Sequence, residues 1–303
     1  MPRDIGSELD DAALIFNGVR PQLFGIAYRM LGSASEAEDI VQDAWLRWQA
    51  CDRSKVLNPA AFLSTTTTRL AINAVQSARA RHETYIGPWL PEPVDTSADP
   101  ALGAERGEAL GFAVLLLLET LSPTERAAYV LRESFDYPYR QIAEIIEVSE
   151  ANARQLVTRA RKHIAAGRRS SVSADDHRRL LAAFVDAAQT GDLDALEKLF
   201  AADIVSSSDG GGVKGVLAAR IRIHGDEKVA KFVAAFSSHF WTGAQITWVE
   251  ANGAASVLLA RDDVPYTLLT ATTTPGGIAQ LHWVMNPSKL GRFAPSAAAT
   301  SPH

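Results

Sequence analysis

Arg154, Gln155, Thr158, Arg159, Arg161 and Lys162 fall at spacings that an α-helix gathers on one side, while Ala153, Leu156, Val157, Ala160 and Ile164 fall on the other. Arg and Gln form bidentate hydrogen bonds with base edges in a DNA major groove, and Thr, Lys and further Arg residues reach phosphate. Between Glu150 and Arg169 the basic residues Arg154, Arg159, Arg161, Lys162, Arg168 and Arg169 stand against the single acid Glu150, a local clustering suited to a polyanion. The plainer reading is a solvated basic face near a helix C-terminus. What precedes the helix favours the DNA reading. Ile142, Ile145 and Ile146 share one face of a short helix, Val148 seats a turn, and Ser149 is placed to cap the second helix. That is a helix-turn-helix, whose second helix enters the major groove.

The composition limits what surrounds this element. With 303 residues, 47% of them hydrophobic, the chain has material for two or three domains with cores of their own. The net charge of -5 argues against a protein that coats nucleic acid along its length, so acidic surface must offset the basic helix. Cys51 is the single cysteine, which excludes an internal disulfide and a cysteine-rich zinc site. The longest apolar run, Phe112 to Leu118, is too short to span a bilayer, and no signal peptide is recognisable, so a cytoplasmic protein is expected.

Three segments follow from patterning. Residues 1–86 read as all-helical, with Phe16, Leu23, Phe24, Ala27, Tyr28 and Leu31 at helical spacing and Ser35 with Glu38 as a capping box for the next helix. Residues 87–106 carry Pro88, Pro91, Pro93 and Pro100 among small and acidic residues and read as an extended linker. Residues 107–172 hold the helix-turn-helix. From 173 to 293 two helices, Arg178 to Gln189 and Leu193 to Ala201, precede four strands: Ile246–Glu250, Ala255–Arg261, Tyr266–Thr274 and Gly276–Met285. This last part is α+β, and residues 294–303 read as a disordered tail.

In the first segment, SEAEDIVQDAWLRW places Glu36, Asp39, Gln42 and Asp43 on one helix face, with Trp45 and Trp48 near its end. Alone, this is a solvated acidic face over an aromatic core, or a surface for a basic partner. Together with the flanking YRMLGSA it resembles region 2 of extracytoplasmic-function (ECF) sigma factors, and the helix-turn-helix segment resembles their region 4, in the same order and separated by a linker. The resemblance implies binding of core RNA polymerase through Asp39, Gln42, Asp43 and Trp45. It implies recognition of the -10 promoter element through Arg69, Asn73, Arg79 and Arg81, with the loop near Cys51 to Asn58 holding an unstacked base. It also implies -35 contacts at Arg154, Gln155, Thr158 and Arg159, with Arg161 close to the backbone, and Lys162 is counted with this -35 set. The run of four threonines from Thr65 to Thr68 is a poor helix former, so a helix there must be held by packing.

Beyond Arg169 the segment LLAAFVDAAQTGDLDALEKLFAADIVSSSDGGG resembles the start of SnoaL-like domains of the NTF2-like superfamily. Three pieces, GPWLPEP, DGGG and NPSKL, resemble motifs of ECF sigma factors that carry such a fused domain. Carried over by position, they imply an interdomain regulatory surface made by Trp89, Leu90, Pro91, Asp209, Gly210, Gly211, Gly212, Lys214, Asn286, Pro287, Lys289 and Leu290. On physical grounds a triple glycine is either an ordinary turn or a backbone that another surface approaches closely. The rival class is an enzymatic, isomerase-like or hydratase-like module, or a small-molecule-binding one, attached to a helix-turn-helix regulator. Asp203, Asp209, His224, His239 and His282 have suitable side chains for acid/base work, but no spacing singles out a pair. The expectation is a sigma factor with no catalytic residues, metal or cofactor. Its partners are core polymerase and promoter DNA, and a small-molecule ligand of the last domain is left open.

Overall fold

The computed structural model describes residues 5–83, 85–96 and 111–293, with the backbone alone for residues 5–9 and 78–83. The tail from 294 and the later part of the expected linker lie outside the described residues. The chain divides into two compact units, Met1–Glu83 with Pro100–Arg168, and Thr84–Asp99 with Arg169–His303.

The first unit opens with α1 (Ile5–Leu31), α2 (Ala34–Ala50) and α3 (Pro59–Glu83). They close over a core that includes Leu23, Phe24, Tyr28, Val41, Trp48, Leu63 and Ala71. The buried Trp48 indole donates to the Ala12 carbonyl at 3.1 Å, which satisfies its N–H. The cap of α2 is Ser33, not Ser35. Gly32 turns the chain at φ 64°, so Ser33 is the extended residue whose Oγ accepts from Glu36 N, and Ser35 already lies in the first turn. Glu38 pairs with Arg20 at 2.6 Å instead of closing a capping box. The threonine run is helical, with Ser64, Thr67 and Thr68 buried. Thr66 and Thr68 donate back to Phe62 O and Ser64 O, which shelters their hydroxyls inside the helix.

The rest of this unit is α4 (Phe112–Leu118), α5 (Pro123–Phe135), α6 (Tyr139–Ile146) and α7 (Glu150–Gly167). Ser122 and Glu125 form a reciprocal capping box with Pro123 at the first helical position, which fixes where α5 begins. Ile142, Ala143 and Ile145 are the buried residues of α6, with Ile146 only partly covered. Glu147 ends that helix in the left-handed region at φ 58°, and Ser149 caps α7 by accepting from Asn152 N. The apolar side of α7 is the expected one, with Ala153, Leu156, Val157, Ala160 and Ile164 all buried.

The second unit contains α8 (Ala174–Thr190), α9 (Leu193–Leu199), β1 (Phe200–Asp209), β2 (Ile223–His224), α10 (Asp226–Ala235) and α11 (Ser237–Phe240). These are followed by β3 (Gln245–Ala251), β4 (Ala254–Arg261), β5 (Val264–Thr274), β6 (Gly277–Val284) and α12 (Pro287–Leu290). The strands form one sheet in the order β2-β1-β6-β5-β4-β3, antiparallel except where β1 lies parallel to β6. The four expected strands are present within two residues at each end. The helix expected to reach Ala201 ends at Leu199, because the chain enters β1 there. Helix α8 packs over the sheet through Leu181, Phe184 and Ala188, and Phe184 meets Phe200 and Trp283 with ring centroids 6.0 Å apart. Phe240 adds edge contacts to Trp241, Tyr266 and Trp283. The result is all-α in the first unit and α+β in the second, as expected. Phe184→Ala empties the centre of this aromatic layer and is expected to cost the second unit about 3–5 kcal/mol. Urea unfolding followed by tryptophan fluorescence measures it.

Candidate functional site

On α7 the structure brings Arg154, Gln155, Thr158, Arg159, Arg161 and Lys162 together as one exposed face, opposite the buried stripe. Three of the arginines are steadied by nearby carboxylates: Arg154 by Glu150 at 2.6 Å, Arg159 by Glu125 at 3.0 Å and Arg161 by Glu133 at 2.7 Å. Arg154 also lies 4.4 Å over the Tyr139 ring. All three arginine side chains stay about half exposed whatever the burial of their carboxylates, and pairs at a surface contribute little stability, so a phosphate or a base edge can take each guanidinium.

On α2, Asp39, Gln42 and Asp43 are exposed, and Leu46 beside them is 52% exposed. Trp45 is half-buried against Phe16, with ring centroids 4.9 Å apart. The helix therefore presents an acidic rim around an apolar patch. On α3, Arg69 and Asn73 are exposed one turn apart. The side chains of Arg79 and Arg81 lie outside the described residues.

The second unit holds a buried polar cluster. Asp209, at the end of β1, is fully buried, and four groups donate to its carboxylate. They are Tyr85 OH at 2.5 Å, Leu90 N at 2.9 Å, Gly211 N at 3.0 Å and Lys289 Nζ at 2.7 Å. Lys289, only 8% exposed, also donates to Leu90 O and lies 4.4 Å over the Trp89 ring and 5.4 Å over that of Tyr85. Asn286 donates to Tyr85 OH at 3.0 Å and caps α12 through Ser288 N. Burial, followed by the Asp209 hydrogen bond and charge, pushes the Tyr85 phenol far above its ordinary range, so it remains a donor.

The glycines have a steric role in this cluster. Gly211 has φ 63°, and a Cβ there would lie 2.5 Å from Asn286 Nδ2; Gly212, at φ 68°, would press on Ile86. Farther along the linker, Asn252 in the β3–β4 turn exchanges hydrogen bonds with Val94, and Thr96 bonds to Glu250 and Gly253. Residues 85–96 are thus strapped onto the α+β domain at both ends.

Of the residues assigned to an interdomain surface, the structure gathers Trp89, Leu90, Asp209, Gly211, Asn286 and Lys289 into direct contact. Pro91, Gly210 and Leu290 are buried around them, whereas Gly212, Lys214 and Pro287 are exposed. Tyr85 was missed by sequence reasoning. It sits just before the linker motif, and its partner is 124 residues away.

The residues considered for acid/base chemistry are not brought together. Asp203 pairs with Arg169 at 2.9 Å, which holds its carboxyl below the ordinary range. Asp209 is tied to Lys289, His224 is exposed, and His239 meets Ser238 Oγ at 3.0 Å. His282 is buried in β6, and burial lowers its pKa to about 3, so the ring is neutral near neutral pH. Among the described residues no group of three or more His, Cys, Asp or Glu side chains could hold a metal ion, and no helix is long and apolar enough to cross a membrane.

Two family models match the first unit: Sigma-70 region 2 over residues 15–81 and Sigma-70, region 4 over residues 111–164. The chain belongs to the ECF RNA polymerase sigma factors, the family that gives RNA polymerase promoter-specific initiation. It is 38% identical over 234 residues to the ECF RNA polymerase sigma factor SigJ of Mycobacterium tuberculosis, covering 75% of this chain and 74% of that one. A probable ECF sigma factor of the same organism, SigI, is 30% identical over 288 residues, covering 94% and 96%. The crystal structure of M. tuberculosis SigJ superposes with a TM-score of 0.73 at 31% identity, over 91% of this chain and 96% of that one.

Breaking the buried pair from one side leaves an uncompensated charge. Lys289→Met and Asp209→Asn are each expected to destabilise the second unit by about 3–5 kcal/mol, and the double variant by less than their sum. Chemical unfolding of the three variants tests this. His282 supplies a pH dependence. Its folded pKa lies below its unfolded value near 6.5, so the unfolded chain binds the extra proton as pH falls from 6.5 towards 3. Its contribution to stability therefore declines over that window by up to ~1.4 kcal/mol per pH unit. Unfolding midpoints between pH 7 and 5 should fall in the native chain and flatten in His282→Gln.

Proposed function

We propose that this chain directs core RNA polymerase to its promoters by reading the -35 element with α7 and the -10 element with α3, while the acidic face of α2 docks on polymerase. The α+β domain regulates this activity in cis. The observation that carries the regulatory reading is the buried Asp209–Lys289 cluster. It fastens residues 85–96, the connection between the two DNA-reading regions, to a domain that takes no part in reading DNA. A change in that domain therefore acts on the tether between the readers. Work of this kind belongs in the cytoplasm, where polymerase and promoter are. Catalysis by the α+β domain is not part of this reading.

Run-off transcription with core polymerase on a library of randomised promoters tests the reading. Arg154→Ala should relax base preference within the -35 element by ~1–3 kcal/mol of discrimination, whereas Arg168→Ala should weaken binding evenly across sequences. Lys289→Met, which frees the strap, should change output at the same promoters without changing their base preference. A chain that neither associates with core polymerase nor supports run-off from any selected promoter would refute the proposal.

A further inference from the structure

Inside the first unit the α1–α3 bundle and the helix-turn-helix pack directly on each other, and two arginines cross between them. Arg126 of α5 is 3% exposed and donates through Nη1 to Met30 O at 2.6 Å, in the last turn of α1, while pairing with Glu119 at 2.7 Å. Arg69 of α3 reaches the other way. Its Nε donates to Ile145 O at 2.9 Å, Nη2 to Glu144 O at 3.1 Å, and Nη1 pairs with Glu147 at 3.0 Å. All three carbonyls lie among the last four of their helices, which lack partners within the helix, and a cation there also opposes the helix dipole. Each half therefore completes a helix end of the other. Between the two arginines, Gln22 donates to Tyr137 OH at 3.2 Å and Arg29 lies 5.0 Å over the Phe135 ring. Gly25 faces Phe135 so closely that a Cβ would lie 3.1 Å from that ring.

We propose that these reciprocal caps latch the two promoter-reading halves in a closed state, and that Arg69 is the group that releases it. The inference rests on the reading of α3 as a -10 contact. The guanidinium that caps α6 is then the one required by DNA, so a closed chain and a -10-bound chain are mutually exclusive states of one side chain.

The two ends of the latch are not equivalent. Arg126 is enclosed, whereas the Arg69 and Glu147 side chains are 45% and 72% exposed. Water, salt and DNA phosphate all reach the Arg69 end, so that end opens while Arg126 acts as the pivot. Opening also frees the turn before α7, whose first residues lead the recognition helix.

The test uses the full chain carrying two spin labels, one on Cys51 and one at Gln141→Cys, neither of which is a latch residue. Pulsed electron resonance on the free protein should give a short distance. Arg69→Ala and Glu147→Lys should each add a longer population, and Arg69→Lys, which keeps the charge without the planar fork, should fall between. Circular dichroism melts confirm that the variants are folded. In a core-polymerase binding assay Glu147→Lys, which leaves every proposed DNA and polymerase contact in place, should bind ~3- to 10-fold more tightly, because a larger fraction of the chain is already open. A distance distribution in Arg69→Ala and Glu147→Lys identical to that of the native chain overturns the latch. If no version binds core polymerase, the functional reading fails, while the distances in the free chain still decide the latch.

Discussion

A carboxylate buried at the end of a strand dictates the arrangement of the second unit. Asp209 has no water to solvate it, and an unpaired buried charge would cost several kcal/mol. Its four donors come from three stretches of the chain, Tyr85 with Leu90, Gly211, and Lys289, which must converge on one point. That requirement explains why the linker motif, the glycine run and the C-terminal motif occur in one chain. Gly211 lets the backbone pass beneath Asn286, and Trp89 covers the ammonium group of Lys289. The linker is therefore part of the domain on its far side, which is why the chain divides discontinuously, with Thr84–Asp99 joining the C-terminal unit.

The surfaces proposed to meet DNA and polymerase follow the opposite rule. The arginines of α7 are exposed and held by single carboxylates of their own region, and the acids of α2 project into solvent beside an exposed leucine. Groups held so weakly can exchange partners at little cost, whereas those around Asp209 cannot. A net charge of -5 is compatible with promoter binding because the local cluster of Arg154, Arg159, Arg161 and Lys162 on α7, and not the total charge, sets the field at that face.

What the sequence revealed follows the same division. The helix-turn-helix was legible because a 3.6-residue period, a serine cap and a cluster of basic residues coincide, and strands β3 to β6 were legible from their β-branched and aromatic runs. Strand β1 was not: its Ser206, Ser207, Ser208 and Asp209 have the composition of a loop and become strand through pairing with β6. The cap of α2 was misplaced by two residues because Gly32, through its positive φ, chooses where the helix starts. Motif resemblance assigned Asp209 and Lys289 to one interdomain surface, but Tyr85 and the strap at Asn252 depend on contacts across more than a hundred residues that no local pattern records. The capping contact of Arg69 was hidden for the same reason, since its partners lie on another helix far along the chain.

The discontinuity of the second unit also sets an order in time. Leu90 and Lys289 are separated by 199 residues, so on a ribosome adding about 5–20 residues per second the strap emerges on the order of 10 to 40 s before its anchor. Both Sigma-70 regions have left the ribosome before β6 is available to pair with β1. The parallel pairing of those strands, distant in sequence, is a slow contact to form. Each newly made molecule thus passes through an interval in which residues 85–96 exist and their anchor does not, and the length of that interval is set by how far along the chain β6 and Lys289 lie.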